Sequence, residues 1–108
     1  MSESTFKNRI LKYLNSLPGC KAIKMHGNQY VEAGTPDIFC CYRGRPVLLE
    51  LKLPGNEPTV IQLKRLEEWR AAGAVAEWVT CLEDVRRIIE GIRSEEHTSE
   101  LQSLAYLV

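Results

Sequence analysis

Nothing in this 108-residue chain supplies the ligand spacing of a zinc module. Its four cysteines, Cys20, Cys40, Cys41 and Cys81, form no CxxC pair, and His26 and His97 are the only histidines. Structural zinc sites draw thiolate and imidazole ligands from close pairs, so these cysteines read as reduced, mostly buried thiols. Long apolar runs are lacking as well, and a membrane-spanning helix needs about 20 such residues. The opening Met1-Ser2-Glu3-Ser4-Thr5-Phe6-Lys7 is too polar for a signal peptide, which makes a cytoplasmic location the expectation. There is no excess of charge: 14 basic residues balance 14 acidic ones. The balance is uneven along the chain, however. From Ser94 onward there are Glu95, Glu96 and Glu100 and no Lys or Arg; removing these three leaves 14 basic residues against 11 acidic ones. That modest excess is compatible with DNA binding and does not by itself require it.

What is present is an ordinary globular composition, 44% hydrophobic and 26% charged, with enough length for one core. Glu3 to Leu17 predicts a helix, with Phe6, Ile10, Leu14 and Leu17 as its apolar stripe, Ser2 as N-cap and Pro18-Gly19 as its end. Ala22 to Met25 predicts a short strand, and Gly27 to Gly34 a polar loop holding His26 at its edge. Ile38 to Tyr42 and Pro46 to Leu53 predict a hairpin joined through Arg43-Gly44-Arg45. After the loop Pro54-Gly55-Asn56-Glu57-Pro58, a second helix runs from Thr59 to Ala72 with Leu63, Leu66 and Trp69 inward and Gly73 past its end. Ala74 to Thr80 is a strand. Leu82 to Ile92 is a third helix with Val85, Ile88, Ile89 and Ile92 as its core face, begun by a Thr80/Glu83 capping box. The order α-β-β-β-α-β-α, with a strand-helix-strand crossover between Leu48 and Thr80, predicts an α/β fold: one mixed sheet flanked by helices. There is no internal repeat.

The hairpin carries the chemistry. If it is symmetric about Arg43 and Gly44, Tyr42 faces Arg45, Cys40 faces Val47, Ile38 faces Leu49 and Asp37 faces Glu50. Directly opposed residues share a face, with Cβ atoms roughly 4.5–5.5 Å apart. Glu50 and Lys52, two apart, share a face as well. Two carboxylates that close repel, and a cation between them relieves the repulsion. Asp37 and Glu50 are therefore the expected metal ligands, for a hard cation such as Mg²⁺ or Mn²⁺. Lys52 would stand beside charge building up on a phosphate. The turn leaves two possibilities open. A two-residue type I′ turn disfavours Arg at positive φ, and a four-residue loop gives the same register. The plainer alternatives are a turn-forming Asp37 after Pro36, an edge-strand Glu50 in water, and a Glu50–Lys52 surface ion pair worth about 0–1 kcal/mol.

These residues, read together, resemble the VRR-NUC domain, a branch of the PD-(D/E)xK nuclease superfamily. The matching pieces are Glu3-Ser4, Lys24, Gly34-Thr35-Pro36-Asp37, Leu49-Glu50-Leu51-Lys52, Pro58-Thr59-Val60-Ile61-Gln62 and Ala72-Gly73, in that order. The likeness runs from about Glu3 to Ile92. It implies a restriction-endonuclease-like core and metal-dependent cleavage of DNA, often branched DNA, with catalysis by Asp37, Glu50, Lys52 and Gln62. It implies the backbone carbonyl of Leu51 as a third metal ligand and Glu3 as a helper of the metal or its water. Gln62, which equally suits a Thr59-x-x-Gln62 capping box, would orient the water or the lysine. Lys24 is the expected phosphate contact; Arg43, Arg45, Lys64, Arg65 and Arg70 are further candidates. A homodimer is expected by analogy, with two sites related by a two-fold axis. The rival readings are a non-catalytic DNA-binding module of the same fold and a restriction-type nuclease.

Residues 1–93 thus form the expected nuclease-like domain, and 94–108 a polar tail. The tail closely resembles a peptide translated from sequencing-adapter DNA, which marks it as non-native or disordered; a natural polar linker with a short amphipathic end is the alternative.

Overall fold

The computed structural model describes residues 1–25 and 31–107, with side chains through Glu95. His26 and the first half of the loop expected from Gly27 to Gly34 lie outside the described residues. Three helices and four strands follow the expected order: α1 (Glu3–Asn15), β1 (Cys20–Lys24), β2 (Ile38–Tyr42), β3 (Arg45–Leu51), α2 (Val60–Ala71), β4 (Val75–Val79) and α3 (Leu82–Leu107). No described helix is long and apolar enough to cross a membrane.

The strands form one sheet in the order β1-β2-β3-β4. β2 is antiparallel to both of its neighbours, β1 and β3, and β4 joins β3 in parallel through the α2 crossover. The hairpin has the register read from its symmetry: Tyr42 opposite Arg45, Cys40 opposite Val47, Ile38 opposite Leu49. The turn has two residues, with Arg43 at φ 51° and Gly44 at φ 84°. Arg in this left-handed region costs roughly 1–2 kcal/mol. Two contacts offset that cost. The Arg43 N–H donates to the Gly19 carbonyl at 2.8 Å, and its guanidinium lies 5.6 Å from the centre of the Tyr42 ring.

The sheet is covered unequally. Phe6, Ile10 and Leu14 of α1 and Val85, Ile89 and Ile92 of α3 pack on one face against Ile38, Cys40, Val47, Leu49 and Val79. Asn15 pins α1 to β1 by bonding both the N–H and the carbonyl of Ala22. Burial pushes the Cys40 thiol up to about 12, which suits an inert core thiol. The second face has α2 alone, and α2 buries only Leu66, against Leu48, Ala74 and Ala76. Leu63 and Trp69, expected inward, are about two-fifths exposed. A single helix lying on a sheet contacts it along one narrow stripe, so the flanking positions stay open.

The helix ends are set by specific bonds. α2 begins with the expected capping box: Thr59 Oγ1 accepts from the Gln62 N–H, and Gln62 Oε1 accepts from the Thr59 N–H at 2.8 Å. It ends in a Schellman motif, with the Gly73 N–H on the Arg70 carbonyl and the Ala74 N–H on the Trp69 carbonyl. At α3 the expected Thr80/Glu83 box is replaced. Asp84 reaches back to accept from the Thr80 N–H at 3.0 Å, because the helix starts at Leu82 and so puts Asp84, not Glu83, at its third position. α3 also runs past its expected end at Ile92, through the polar tail to Leu107. The segment Ser94 to Leu107 holds no Pro or Gly that would stop a helix.

Candidate metal and phosphate site

The site lies at one end of the sheet, where β2 starts and β3 finishes. Gly34-Thr35-Pro36-Asp37 leads into β2, and its path is fixed by close packing on α2. Gly34 has φ +82°, and a Cβ there would stand 2.9 Å from the Ile61 carbonyl oxygen. Arg65, one turn further along α2, holds the same loop: its Nε donates to the Ala33 carbonyl at 3.0 Å and pairs with Glu32. Thr35 closes the turn by bonding the Glu32 carbonyl. Gly34→Ala adds both backbone strain and a clash, so it should lower stability by about 2–4 kcal/mol. Thermal unfolding checks this; a melting temperature within 2 °C of the parent would contradict it.

Pro36 then delivers Asp37 to the end of β3. Asp37 Oδ2 accepts from the Leu51 N–H at 2.8 Å, while its own carbonyl accepts from the Met25 N–H at 2.7 Å. Asp37 is thereby tied to both neighbouring strands. Glu50 sits beside it and is the buried charged residue among the described ones, 2% exposed. As a carboxylate its Oε2 accepts no hydrogen bond from any described residue. Lys52 Nζ lies 3.8 Å from Glu50 Oε1, an ion pair too long for a hydrogen bond. Lys52 is held by its backbone, whose N–H donates to the Val79 carbonyl. Burial, then the Asp37 charge, raises the Glu50 pKa to about 8 against the opposing pull of Lys52, and Glu3 adds a smaller push upward. Of the plainer alternatives, the edge-strand carboxylate in water is therefore excluded for Glu50.

A buried anion with an unsatisfied oxygen costs several kcal/mol, and the lysines beside the two acids, at 3.8 Å from Glu50 and 3.7 Å from Asp37, do not supply the missing hydrogen bond. Two carboxylates and the carbonyl of Leu51 at a strand end are oxygen donors of the type that Mg²⁺ or Mn²⁺ takes. The residues present fit such a cation. They do not form a three-acid site: among the described residues, no group of three His, Cys, Asp or Glu side chains is placed to hold a metal. Glu3 is near enough for its charge to be felt at Glu50 but does not complete such a group, so its role as a direct ligand is not supported.

A fold search places this geometry among known proteins. No protein-family model matches the sequence, and no curated protein does. Two solved structures share the architecture. One, described as a VRR_NUC domain, is 24% identical, with a TM-score of 0.68 over 82% of this chain and 94% of its own. The other, a VRR_NUC domain protein, is 17% identical, with a TM-score of 0.64 over 83% of this chain and 86% of its own. The chain has the VRR-NUC fold.

Within that fold, the remaining expected residues fall in different places. Lys24 ends β1 opposite Ile38 and is exposed, one residue from the Met25–Asp37 bond. Gln62 is committed through its amide oxygen to the cap of α2. Its position still faces the acids. α2 returns to the start of β4 within three residues, so it runs against the direction of β3. One helical turn back from Leu66, which packs on Leu48, is Gln62, and two strand residues on from Leu48 is Glu50 (about 5.4 Å and 6.6 Å respectively). Arg65 and Arg70 are engaged with glutamates, as the loop clamp and within α2. Arg45 pairs with Glu95. Sequence reading passed over Lys7, whose Nζ is 3.7 Å from Asp37 Oδ1. Its signal was available: Lys7 is four residues after Glu3 and so on the same face of α1. A cleft of about 450 Å³, lined by Met25 and Val31 through Asp37, opens beside Asp37 and stops short of Glu50 and Lys52.

Proposed function

We propose that this protein is a metal-dependent DNA endonuclease, hydrolysing phosphodiester bonds with selectivity for branched or junction DNA. The observation that carries the reading is the buried Glu50 carboxylate, with its unsatisfied oxygen, set between Asp37 and Lys52. The fold shared with VRR_NUC structures supports it.

Asp37, Glu50 and the Leu51 carbonyl would hold Mg²⁺ or Mn²⁺, which would supply Lewis-acid polarisation of a phosphate and a more acidic water. The chain's own residues do the rest. The Leu51 N–H and the Pro36 turn fix the Asp37 carboxylate, so its geometry is set before substrate arrives. Lys52 carries a fixed positive charge next to the acids, where negative charge accumulates on the phosphorus oxygens in the transition state. Partial burial strengthens that interaction by keeping water away. Lys7, from α1, is a second ammonium at the same centre and balances Asp37 in the metal-free protein. Lys24, at the exposed end of β1, would contact a flanking phosphate. A homodimer would present two such centres to the paired strands of a junction.

The test is a cleavage assay on linear, flap and four-way DNA with Mg²⁺, Mn²⁺ or EDTA. Cutting is expected with either metal, none in EDTA, and at least several-fold preference for a branched substrate. DNA binding without scission under every metal condition would replace this reading with a non-catalytic DNA-binding module. Equal cutting of all three DNAs would remove the structure selectivity alone.

A further inference from the structure

Trp78 stands out once the sheet register is known. In the parallel β3–β4 pair, Glu50 and Trp78 are direct partners, and direct partners in a sheet project to the same face. The residue next to the buried carboxylate is therefore a tryptophan, on the strand that forms the sheet's border: among the described residues β4 pairs with β3 only. Glu50 is 2% exposed and Trp78 is 39% exposed. The same lateral step along the sheet thus passes from a shielded anion to an open indole. α2 lies over the same face, with Leu66 packed among Leu48, Ala74 and Ala76, and leaves the Trp78 side chain partly open.

An exposed indole one strand away from a phosphate-directed site has a specific use. Neighbouring strands are ≈ 4.8 Å apart, which is the scale of the step from a backbone phosphate to its own base. We infer that Trp78 is a stacking platform for the nucleobase that flanks the scissile phosphate, which makes it a substrate-positioning residue. The inference rests on the nuclease reading of Asp37, Glu50 and Lys52. Stacking accepts every base, so Trp78 contributes grip and alignment without sequence preference. It also acts on an unpaired or splayed base and not on one buried within a duplex, which would favour DNA with single-stranded character. Trp69, the other tryptophan, is on α2 and is equally exposed, but it sits near that helix's C-terminal end, away from Glu50.

The chain's having only these two tryptophans makes the test direct. In full-length Trp69→Phe protein, Trp78 is the sole indole emitter. A short single-stranded thymidine oligonucleotide carrying a dye is titrated in with Mg²⁺ replaced by Ca²⁺, and anisotropy of the dye reports saturation independently. Stacking should quench the Trp78 emission by at least half at saturation. An oligonucleotide with consecutive abasic positions should leave it largely unquenched. In cleavage assays, Trp78→Ala should raise KM by roughly 5- to 100-fold with kcat within a few-fold, and Trp78→Phe should recover most of the loss, which a purely structural role would not predict. Saturated binding with unchanged Trp78 emission overturns the inference and leaves the nuclease reading standing. Quenching without any scission keeps Trp78 as a DNA contact and removes the nuclease reading. No binding at all overturns both.

Discussion

Lys52→Ala should lower the rate of DNA cleavage by about 100-fold or more, the loss expected when a preorganised charge is removed from the position of developing negative charge. Asp37→Asn should do the same for a different reason. Asn keeps an oxygen able to accept from the Leu51 N–H, so the fold survives, while the negative charge that would attract a divalent cation is gone. Both variants should keep the circular dichroism and melting profile of the parent, since Lys52 forms only a long ion pair and Asp37 is partly exposed. The two are separable by metal titration. Lys52→Ala should need about the same Mg²⁺ concentration for its residual activity, and Asp37→Asn at least tenfold more. Full cutting by either protein removes that residue from the site.

The second large effect concerns pH and stability without metal. The Glu50 pKa in the folded protein is raised to about 8, chiefly by burial and then by the Asp37 charge. In the unfolded chain it returns to about 4.3. Between those values the folded state holds a proton that the unfolded state has released, so stability declines as pH rises through this window. Below it both states are protonated and no penalty exists; above it the folded protein carries the buried charge in full. In EDTA, therefore, stability should fall from pH 5 to pH 8 by an amount on the order of 2–4 kcal/mol. Glu50→Gln removes the titration and should flatten that dependence, making the variant more stable than the parent at pH 8 and about equal at pH 5. Denaturant unfolding at the two pH values measures this directly. Added Mg²⁺ should rescue the parent at pH 8 and leave Glu50→Gln unmoved. A parent protein with the same stability at both pH values in EDTA would show that Glu50 is not held in this way.

Much of the architecture was legible before any coordinates because the deciding interactions are local. The hairpin register follows from a two-residue turn and alternating side chains, and it brings Asp37 to the end of β3 beside Glu50 as expected. The α2 boundaries follow from Thr59, Gln62 and Gly73, each of which bonds within a few residues of itself. The readings that failed depend on what lies on the other side of an element. Leu63 and Trp69 fit an apolar stripe, but one lone helix on a sheet face cannot bury three positions that spread around it. Lys7 lies off the apolar stripe of α1, and only the packing of that helix on the sheet brings its ammonium to Asp37. Gln62 carried two readings that sequence left open; its amide oxygen is in the cap, and its place one turn before Leu66, toward the Glu50 end of β3, follows only from the direction of the crossover. The Asp84 cap was missed because the expected box was counted from Thr80, whereas a helix starting at Leu82 has Asp84 as its third residue.

The tight bend at Arg43 and Gly44 begins six residues from Asp37, about 20 Å along the strand. It touches none of the acids, yet its residue count sets the register that puts Asp37 beside Glu50. The alternation of a strand converts any change in residue count at that bend into a half-rotation of everything beyond it. The far tip of this ribbon is thus the tuning peg of the site: chemistry is vulnerable there to a single added residue, at a place remote from the acids themselves.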